Sequence, residues 1–395
     1  MTDPSTTGVA PPPILPGATI GIFGSGQLGR MLALVARRMG YRVATFGDAP
    51  GPDGRRTPTG QLADLEVVAD FDDVDALGAF LEVCDVVTYE FENVPAAVAE
   101  RAEAMGVPAR PSGRVLATCQ DRAAEKRFLA ETAIPTVAVA EAPGGAAELA
   151  AAVAQVGYPA VVKTAAFGYD GKGQWRLTGP ADLAGVAAEV GEHAVVVEEL
   201  VTLAAEISVI VARGIDGQAR TYPAIQNAHL DHILDWSACP AAVDPAAAAT
   251  ADGYARRIAE AVDLVGVLAV ELFLTGDGRV LVNELAPRPH NSGHLTIEAC
   301  PTSQFEQQLR AVCGLSLGAT EPFTPAAMAN LLGDRWAAGE PDWAALLGQP
   351  GVALHLYDKG AARPGRKLGH LTAVDSSSEA ARLRVVSARR LACGE

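Results

Sequence analysis

LAVELFLTGDGRVLVNELAPRPHNSGH, residues 268–294, consists of two apolar runs that flank the pair Asp277-Gly278, followed by a polar tail. Asp-Gly is a preferred pair in two-residue hairpin loops. If these two residues form the loop, counting outward along both strands places Glu271 opposite Glu284. The sequence therefore predicts a β-hairpin in which two carboxylates face each other.

Facing carboxylates require an explanation, because like charges directly opposite each other on one sheet face are destabilising. A cation between them would remove the repulsion. Mg²⁺ prefers carboxylate oxygens and bridges to nucleotide phosphates, and Asn283 would add another oxygen ligand. A register slip of one residue would separate the carboxylates and leave an ordinary hairpin. We predict that Glu271 and Glu284 bind Mg²⁺, with Mn²⁺ as an alternative ion.

The polar tail, APRPHNSGH (286–294), carries several hydrogen-bond donors close to this predicted metal site. Pro287, Pro289 and Gly293 are expected to keep the segment from being helical. A lone histidine is more often packed in a core than catalytic, but an Arg-x-His-Asn cluster beside a metal is suited to binding an anion. The polar residues of the segment are Arg288, His290, Asn291 and His294.

A glycine-rich strand-loop-strand unit lies upstream, in AVVKTAAFGYDGKGQWRL (160–177). Lys163 ends the first strand, and three glycines follow in the loop. Such a loop can fold over a triphosphate, whose charge Lys163 and Lys172 would balance. The chain lacks G-x-x-x-x-G-K-[ST], which argues against an ordinary P-loop. The alternative is a mobile hairpin without a ligand.

A second nucleotide-binding signal is AVVVEEL (194–200), an apolar strand that leads into two carboxylates, with Glu206 six residues beyond it. A strand exit can offer backbone N–H and C=O groups to an adenine edge, while a carboxylate binds the ribose hydroxyls. The alternative is an edge strand with solvated glutamates.

The motif GSGQLG (24–29) lies between an apolar strand and an amphipathic helix. Backbone N–H groups at such a helix start bind phosphate, and Asp48 lies about 20 positions further on, as in dinucleotide folds. A nicotinamide-dependent oxidoreductase is therefore an alternative function, although glycines also serve close helix–strand packing. The apolar runs 41–47, 65–71 and 84–91 follow at intervals that predict a parallel doubly wound sheet.

Composition limits the partners and the location of the protein. The chain has 395 residues, 49% of them apolar and 20% charged, and a net charge of −16, which disfavours nucleic acid and anionic membrane as partners. No apolar run approaches the roughly 20 residues of a membrane-spanning helix. The six cysteines show no metal spacing, which fits reduced thiols in a cytoplasm. The basic segment RPGRK (363–367) is either a solvated turn or an anion-binding cluster.

The length predicts two or three domains, since domains commonly contain roughly 100 to 200 residues. A helix over CQDRAAEKRFLAETAI (119–134), closed by Pro135, is expected near the start of the second. The expected parts are a disordered tail (1–18), an N-terminal Rossmann-like domain (19–117), a central α/β domain (118–312) and a small C-terminal domain (313–395).

The order of these motifs resembles the ATP-binding elements of the ATP-grasp superfamily over roughly residues 118–310. Within it, GSGQLGRM, GYDGKGQW, NELAPRPHNSGH and YDKGAARPGRKLGHLT resemble the 5-(carboxyamino)imidazole ribonucleotide synthase family, from about Thr19 to Thr372. The resemblance implies an α/β ATP-grasp fold with an N-terminal doubly wound parallel pre-ATP-grasp domain and a small C-terminal domain. Lys172 stands where relatives often have arginine, so its role departs from the family pattern.

The resemblance also implies the site residues. Those contacting ATP would be Arg122, Lys163, Gly168, Tyr169, Asp170, Gly171, Lys172, Gly173, Gln174, Glu198, Glu199, Leu200, Val201, Glu206, His229, Asn283 and Glu284. Those lining the pocket for aminoimidazole ribonucleotide and bicarbonate would be Gln27, Leu28, Glu90, Tyr169, Asp170, Arg288, His290, Asn291, Lys359 and Arg366. The catalytic residues among them would be Asp170, Lys172, Arg288, His290, Asn291, Lys359 and Arg366.

The implied reaction is ATP-dependent carboxylation of the ribonucleotide's amino group through carboxyphosphate, by a cytoplasmic homodimer. Either Asp170 or His290 would handle the amine proton. A sister ATP-grasp ligase that uses formate or glycine is an alternative, against which RPGRKLGHLT argues. A non-catalytic nucleotide sensor is another, and it would bind ATP without turnover.

Overall fold

The computed structural model describes residues 11–47, 54–166, 173–337 and 339–394, and the strands in this part of the chain form three sheets. The first sheet is parallel, with the order β3-β2-β1-β4, which confirms the predicted doubly wound arrangement. Strand β1 is buried along its whole length, as expected where helices cover a parallel sheet. The elements of this region are β1 (Thr19–Phe23), α1 (Gln27–Arg38), β2 (Arg42–Gly47), β3 (Leu65–Val68), α2 (Val74–Leu81), β4 (Val86–Tyr89) and α3 (Ala96–Ala104).

The connection to the second sheet contains two helices, α4 (Gly113–Gln120) and α5 (Arg122–Glu131), so the prediction of one helix over 119–134 is wrong. Asp121 interrupts it with φ −116° and ψ 116°, and its carboxylate accepts a hydrogen bond from the Ala124 N–H at 2.7 Å. This is an N-cap, and it allows α5 to start in a new direction.

The second sheet is small and antiparallel, with the order β5-β8-β6-β7. It contains the predicted strands around Lys163 and before Glu199, and apolar residues of two helices pack on it. The loop residues 167–172 lie outside the described residues. The elements are β5 (Val139–Ala142), α6 (Ala146–Val156), β6 (Ala160–Thr164), β7 (Gln174–Leu177), α7 (Leu183–Val190) and β8 (Val195–Glu199).

The third sheet is antiparallel, with the order β14-β13-β9-β11-β12-β15-β17-β16 and β10 paired to β9. Strands from the expected C-terminal domain continue this sheet through the β12–β15 pair. Its strands are β9 (Leu203–Arg213), β10 (Ala219–Thr221), β11 (Ile225–Leu230), β12 (Ile233–Cys239), β13 (Gly266–Thr275), β14 (Val280–Ala286), β15 (Ala326–Leu332), β16 (Val352–Leu356) and β17 (Lys367–Val374). Its helices are α8 (Pro245–Ala261), α9 (Thr296–Ala299), α10 (Gln304–Val312), α11 (Trp343–Leu347) and α12 (Ser378–Cys393).

The β13–β14 hairpin confirms that Glu271 faces Glu284, but by a different route from the one predicted. Leu274, not Thr275, faces Val280, so the loop is longer than the Asp-Gly pair. A β-bulge at Asn283 then inserts one extra residue, and this restores the predicted pairing of the two glutamates. A bulge also re-aims side chains. In this hairpin Asn283 and Glu284, although adjacent, both reach the same cavity.

Two further expectations differ from the structure. Residues 291–295 form a short 3₁₀ helix, because the His290 side chain accepts a hydrogen bond from the Ser292 N–H and caps the turn. Part of the expected disordered tail is attached, since the N–H of Ile14 donates to the Cys313 carbonyl at 2.8 Å. Residues 1–10 lie outside the described residues.

Candidate active site

A cavity of about 840 Å³ lies between the three sheets. Its walls contain most of the residues that the sequence singled out, although these come from segments far apart along the chain. They are Gln27, Leu28, Glu90, Arg122, Lys163, Gln174, Glu198, Glu199, Leu200, Val201, Glu206, His229, Glu271, Asn283, Glu284, Arg288, His290 and Asn291.

Some predicted residues are placed elsewhere. Gly173, Lys359 and Arg366 are not on the cavity wall, although Lys359 is close enough to Glu90 to affect the pKa of that carboxyl group. Lys359 also lies over the Tyr357 ring, 5.9 Å from its centroid. The predicted residues Gly168, Tyr169, Asp170, Gly171 and Lys172, and also Asp48, lie outside the described residues.

The cavity wall also contains residues that the sequence reasoning missed. Lys367 belongs to the basic segment RPGRK, but Arg366 was chosen in its place. Strand alternation could not have found Glu92, because the chain turns after β4 and four consecutive residues, 90–93, line the cavity. The missed wall residues are Phe91, Glu92, Asn93, Val161, Leu203, His232, Phe273 and Lys367.

The two hairpin glutamates face the cavity from neighbouring strands. Glu271 accepts a hydrogen bond from His290 Nε2 at 2.9 Å, and a carboxylate oxygen of Glu284 lies 3.8 Å from Arg122 Nη2. Burial deep in the protein and the charge of Glu271 raise the pKa of Glu284, whose side chain is still 41% exposed to the cavity. Burial also raises the pKa of Glu271, but the hydrogen bond from His290 outweighs it and lowers this pKa to about 2, so Glu284 is the member of the pair whose charge is less compensated.

This donor set fits Mg²⁺ with open coordination positions. The described residues contain no group of three or more His, Cys, Asp or Glu side chains that could enclose a metal. Mg²⁺ does not require such a group, because it commonly keeps several waters and binds one or two carboxylates together with substrate phosphates. Glu271 and Glu284 are suited to that mode of binding, with the Asn283 amide beside them.

His290 is the end of a chain of hydrogen bonds that runs into the core of the third sheet. Its Nδ1 lies 2.9 Å from Ser292 Oγ, and Ser292 Oγ lies 2.8 Å from Ser208 Oγ. Asn227 Nδ2 donates to Ser208 Oγ at 3.1 Å, and Ser237 Oγ donates to Asn227 Oδ1 at 3.0 Å. The backbone N–H of Ser292 donates to His290 Nδ1 at 3.4 Å, which makes Nδ1 an acceptor and leaves the proton on Nε2, towards Glu271.

The nucleotide side of the cavity is formed by the second sheet and the start of the third. Lys163 Nζ lies 2.5 Å from Glu198 Oε2 and 3.4 Å from Asn283 Oδ1. His229 Nδ1 lies 2.8 Å from Glu206 Oε2. Lys163 and Glu198 thus connect the second sheet to the bulged hairpin, and Glu206 and His229 form a second pair further along the wall.

On the opposite side, Glu90 occupies the N-terminus of α1. Its carboxylate accepts hydrogen bonds from the N–H groups of Gly26 at 2.8 Å and Gly29 at 3.2 Å. A Cβ atom added to Gly26 would lie 2.6 Å from Glu90 Oε1, so this glycine makes room for the carboxylate. The site at which a dinucleotide phosphate would bind is therefore filled by the chain itself, which argues against the oxidoreductase alternative.

Two polar groups near Glu90 face the same side of the cavity. Arg288 forms an ion pair with Glu92, which lies just after β4. Asn291 is only 8% exposed, yet neither its amide nitrogen nor its amide oxygen has a hydrogen-bond partner among the described residues. A buried amide without partners is costly, so a ligand that supplied both a donor and an acceptor would be favoured here.

No helix in the described part of the chain is long and apolar enough to cross a membrane.

Family models match three segments: the ribonucleotide synthetase preATP-grasp domain over residues 17–120, the ATP-grasp domain over 127–305, and the phosphoribosylaminoimidazole carboxylase C-terminal domain over 326–384. Together they span most of the chain in the order that the motifs predict.

Known proteins are similar over almost the whole length. The N5-carboxyaminoimidazole ribonucleotide synthase of Bacillus subtilis is 42% identical over 91% of this chain and 92% of its own. A crystal structure of an N5-carboxyaminoimidazole ribonucleotide synthetase with ADP has a TM-score of 0.88 and 38% identity, covering 95% of this chain and 97% of that one. The Aspergillus clavatus enzyme, in complex with ADP and 5-aminoimidazole ribonucleotide, has a TM-score of 0.86 and 31% identity, covering 96% and 99%. The chain therefore belongs to the N5-carboxyaminoimidazole ribonucleotide synthase family of ATP-grasp ligases.

Proposed function

We propose that the chain carboxylates the exocyclic amine of 5-aminoimidazole ribonucleotide with bicarbonate in de novo purine biosynthesis, using ATP and Mg²⁺ and releasing ADP and phosphate. The observation that carries this proposal is the single cavity on which the glutamate hairpin, the Lys163–Glu198 pair and the Arg288–Asn291 segment converge. The first two suit a nucleotide and the third suits an anionic acceptor. The complex of the Aspergillus clavatus relative with ADP and the ribonucleotide supports the same pairing of ligands.

The nucleotide would bind between the second sheet and the hairpin. Lys163 and Arg122 supply positive charge for its phosphates, and Glu206 with His229 is suited to the ribose hydroxyls. At the strand exit the N–H groups of Glu199 and Leu200 already donate to the Ala138 and Pro159 carbonyls, so the adenine edge would meet the N–H of Val201 and the carbonyls of this segment. Glu198 has a different task in this arrangement, because its buried carboxylate holds Lys163 in place.

Glu271 and Glu284 would hold Mg²⁺, with Asn283 as an additional oxygen ligand. When bound, Mg²⁺ would neutralise phosphate charge and so reduce the repulsion between bicarbonate and the γ-phosphate. The protein's own residues do the remaining work. Arg122 and Lys163 orient the phosphates, and Arg288 and Asn291 hold the bicarbonate and the acceptor amine within reach of each other.

The ribonucleotide would bind on the side of Glu90 and the start of α1, against Gln27 and Leu28. Its phosphate would be held by Lys359 and Arg366, and Lys367 on the cavity wall adds a cation at the same end. Carboxyphosphate formed in the cavity would transfer its carboxyl group, as carbon dioxide, to the amine. The Gly168–Gln174 loop would exclude water from this intermediate.

The amine proton would pass to Asp170 rather than His290. Both ring nitrogens of His290 are engaged, since Nε2 contacts Glu271 and Nδ1 contacts Ser292. His290 is therefore better suited to fixing the orientation of Glu271 than to acting as a base. We also propose that the active protein is a homodimer in the cytoplasm.

Measuring ADP release tests the assignment. ATP and MgCl₂ are supplied with aminoimidazole ribonucleotide alone, with bicarbonate alone and with both. We expect rapid ADP release only in the presence of the ribonucleotide, together with incorporation of labelled bicarbonate into an acid-labile product. ADP release that does not depend on the ribonucleotide would leave an ATP-grasp ligase with another acceptor.

A further inference from the structure

Behind the nucleotide side of the cavity lies a cluster of four charged or ionisable side chains, Glu125, Lys126, Lys163 and Glu198, here termed the buried ionic cluster. Lys126, on α5, is its central member, is only 4% exposed and does not line the cavity. Its Nζ lies 3.2 Å from Glu198 Oε1. The other oxygen of the same carboxylate contacts Lys163 at 2.5 Å. Glu198 is therefore held between two ammonium groups.

Lys126 uses its remaining donors on the other side of the cluster. Its Nζ donates to the backbone carbonyl of Asn283 at 2.7 Å and to Thr136 Oγ1 at 3.1 Å. Thr136 Oγ1 in turn donates to the Val282 carbonyl at 2.8 Å. Two of the three donors of this ammonium group therefore have acceptors next to or on β14, and its charge faces Glu198 Oε1 at 3.2 Å. One side chain thus joins β8 of the second sheet to the β14 bulge of the third.

The charge balance of the cluster fits a site for an anion. Burial raises the pKa of Glu125 to about 8, so this carboxyl group is mainly protonated at neutral pH, and its Oε2 accepts a hydrogen bond from the Leu285 N–H at 2.8 Å. Burial acts in the same direction on Glu198, but Lys126 and Lys163 outweigh it and lower the pKa of Glu198 to about 2. Two ammonium groups therefore face one carboxylate, and positive charge is left over beside the cavity.

We propose that Lys126 is a positioning residue for nucleotide binding: it orients Glu198 and through it Lys163, and it fixes the bulge that presents Asn283 and Glu284. The proposal rests on the proposed function insofar as the nucleotide is ATP. Lys126 would thereby set the distance between the cation that binds phosphate and the hairpin that binds metal. A contribution to protein stability would not by itself explain why the buried ionic cluster is present, because buried ion pairs are often no more stabilising than apolar residues of similar volume.

The variant Lys126→Met tests the proposal, since it keeps most of the unbranched side chain and removes the charge. Binding of ADP with MgCl₂ is measured by calorimetry, and KM for ATP and for the ribonucleotide are measured by initial rates. We expect ADP affinity to fall and KM for ATP to rise by about tenfold or more, as for loss of a hydrogen bond to a charged group. KM for the ribonucleotide should change by less than about twofold, because its predicted pocket is formed by other elements.

Arg127→Met is the matched control, because Arg127 is the next residue of α5 and forms an exposed ion pair with Glu141 at 2.6 Å. It should leave ADP affinity and both KM values unchanged. Thr136→Val is a milder variant that keeps the volume and removes one acceptor of Lys126. It should weaken ADP binding in the same direction but less, and it decides the question if Lys126→Met does not fold.

Wild-type ADP affinity in folded Lys126→Met, or in Thr136→Val where Lys126→Met cannot be obtained, would overturn the proposal. A uniform rise of both KM values would also overturn it, since this would indicate general loosening of the structure. If the wild-type protein did not carboxylate the ribonucleotide but Lys126→Met still weakened ADP binding relative to Arg127→Met, the proposed function would fail while the role of Lys126 would stand.

Discussion

Carboxylates line the cavity on two sides, and the groups that contact them differ between the sides. On the N-terminal side, Glu90 accepts two backbone N–H groups at the start of α1, and Glu92 pairs with Arg288. On the hairpin side, Glu271 and Glu284 face each other across two strands, and the charge of Glu271 raises the pKa of Glu284. Both members of the first pair have close donors within the chain. In the second pair Glu271 has His290, but Glu284 lies 3.8 Å from Arg122 and is 41% exposed, which leaves room for a cation from outside.

This difference indicates two roles. The carboxylates of the N-terminal side hold the protein structure around the site in place, and those of the hairpin are suited to binding a metal ion. Donors built into the fold fix Glu90 whether or not a substrate is present. A divalent cation would stabilise the hairpin pair most, because it would offset the repulsion between the two facing carboxylates. Changes on the N-terminal side should therefore alter stability in the free protein, and changes on the hairpin side should alter activity that depends on metal.

The largest effect is expected for Glu284→Gln, which keeps the shape of the side chain and removes one of the facing charges. Turnover with Mg²⁺ and ATP should fall by at least about 100-fold, the size of effect seen when one electrostatic stabiliser is removed from an active site. The fold should remain intact, since one half of a repulsive pair is lost. Initial rates across a range of MgCl₂ concentrations, together with circular dichroism, would measure both.

Asp277→Asn is the control for this hairpin, because Asp277 lies in the exposed loop and does not line the cavity. It should leave the magnesium dependence unchanged. Full activity of Glu284→Gln at low MgCl₂ would show that the facing carboxylates do not bind the metal.

A second test concerns Glu125, whose buried carboxyl group is mainly protonated at neutral pH although Lys126 Nζ lies 4.0 Å from its Oε1. Because burial raises its pKa to about 8 in the folded state, from an ordinary value of 4.5, its contribution to stability is complete below about pH 4.5 and is lost as pH rises through about 8. Relative to Glu125→Gln, the wild-type free energy of unfolding should fall by about 1.4 kcal/mol per pH unit between these limits. Urea denaturation at several pH values measures the difference.

Glu131→Gln serves as its control, since Glu131 is exposed on the same helix. Its stability curve should run parallel to that of the wild type. Parallel curves for Glu125→Gln as well would mean that Glu125 is ionised in the folded protein.

The third test is Glu90→Gln, which should destabilise the free protein by about 2 to 3 kcal/mol. An amide has a single acceptor oxygen, so one of the N–H groups of Gly26 and Gly29 would lose its partner. Urea unfolding with EDTA and with MgCl₂ should give the same loss. A loss that appeared only with MgCl₂ would place Glu90 among the metal ligands and remove the distinction between the two sides.

The smallest effect is expected at the glycines of the N-terminal region. Gly26→Ala should cost about 1 to 2 kcal/mol of unfolding free energy, because the added methyl group would press against the Glu90 carboxylate. Gly78→Ala, in the middle of α2 and facing open space, should instead stabilise by about 0.5 to 1 kcal/mol. Equal stability of Gly26→Ala and the wild type would show that Glu90 can move away at no cost.

Local patterns in the sequence were sufficient for much of the fold. Alternating apolar runs predicted the parallel sheet, and the motif order predicted the family. The hairpin shows the limit of such patterns: Glu271 and Glu284 do face each other, but the loop is longer than predicted and a bulge at Asn283 compensates for it. Turn length and bulges depend on how a strand packs against its neighbours, which residue identity alone does not specify.

Lys126 shows what a closer reading of the sequence could have found. It lies four residues after Arg122 on α5, and residues at this spacing share one face of a helix. The spacing would have directed attention to Lys126 as a second cation, but it could not have shown that the side chain ends at the Asn283 carbonyl, 157 residues away.

By itself, the sequence determined which groups are available: two glutamates at facing positions, a lysine at a strand end, and a glycine turn before a helix. Only the tertiary structure decided what each group does. In the folded chain, the Glu90 carboxylate accepts a hydrogen bond from the N–H of Gly26, 64 residues away, at the N-terminus of the helix that follows the glycine turn. Glu198 forms ion pairs with two lysines. Periodicity and turn preferences act over a few residues, whereas the partner of a buried charge is set by the packing of distant elements.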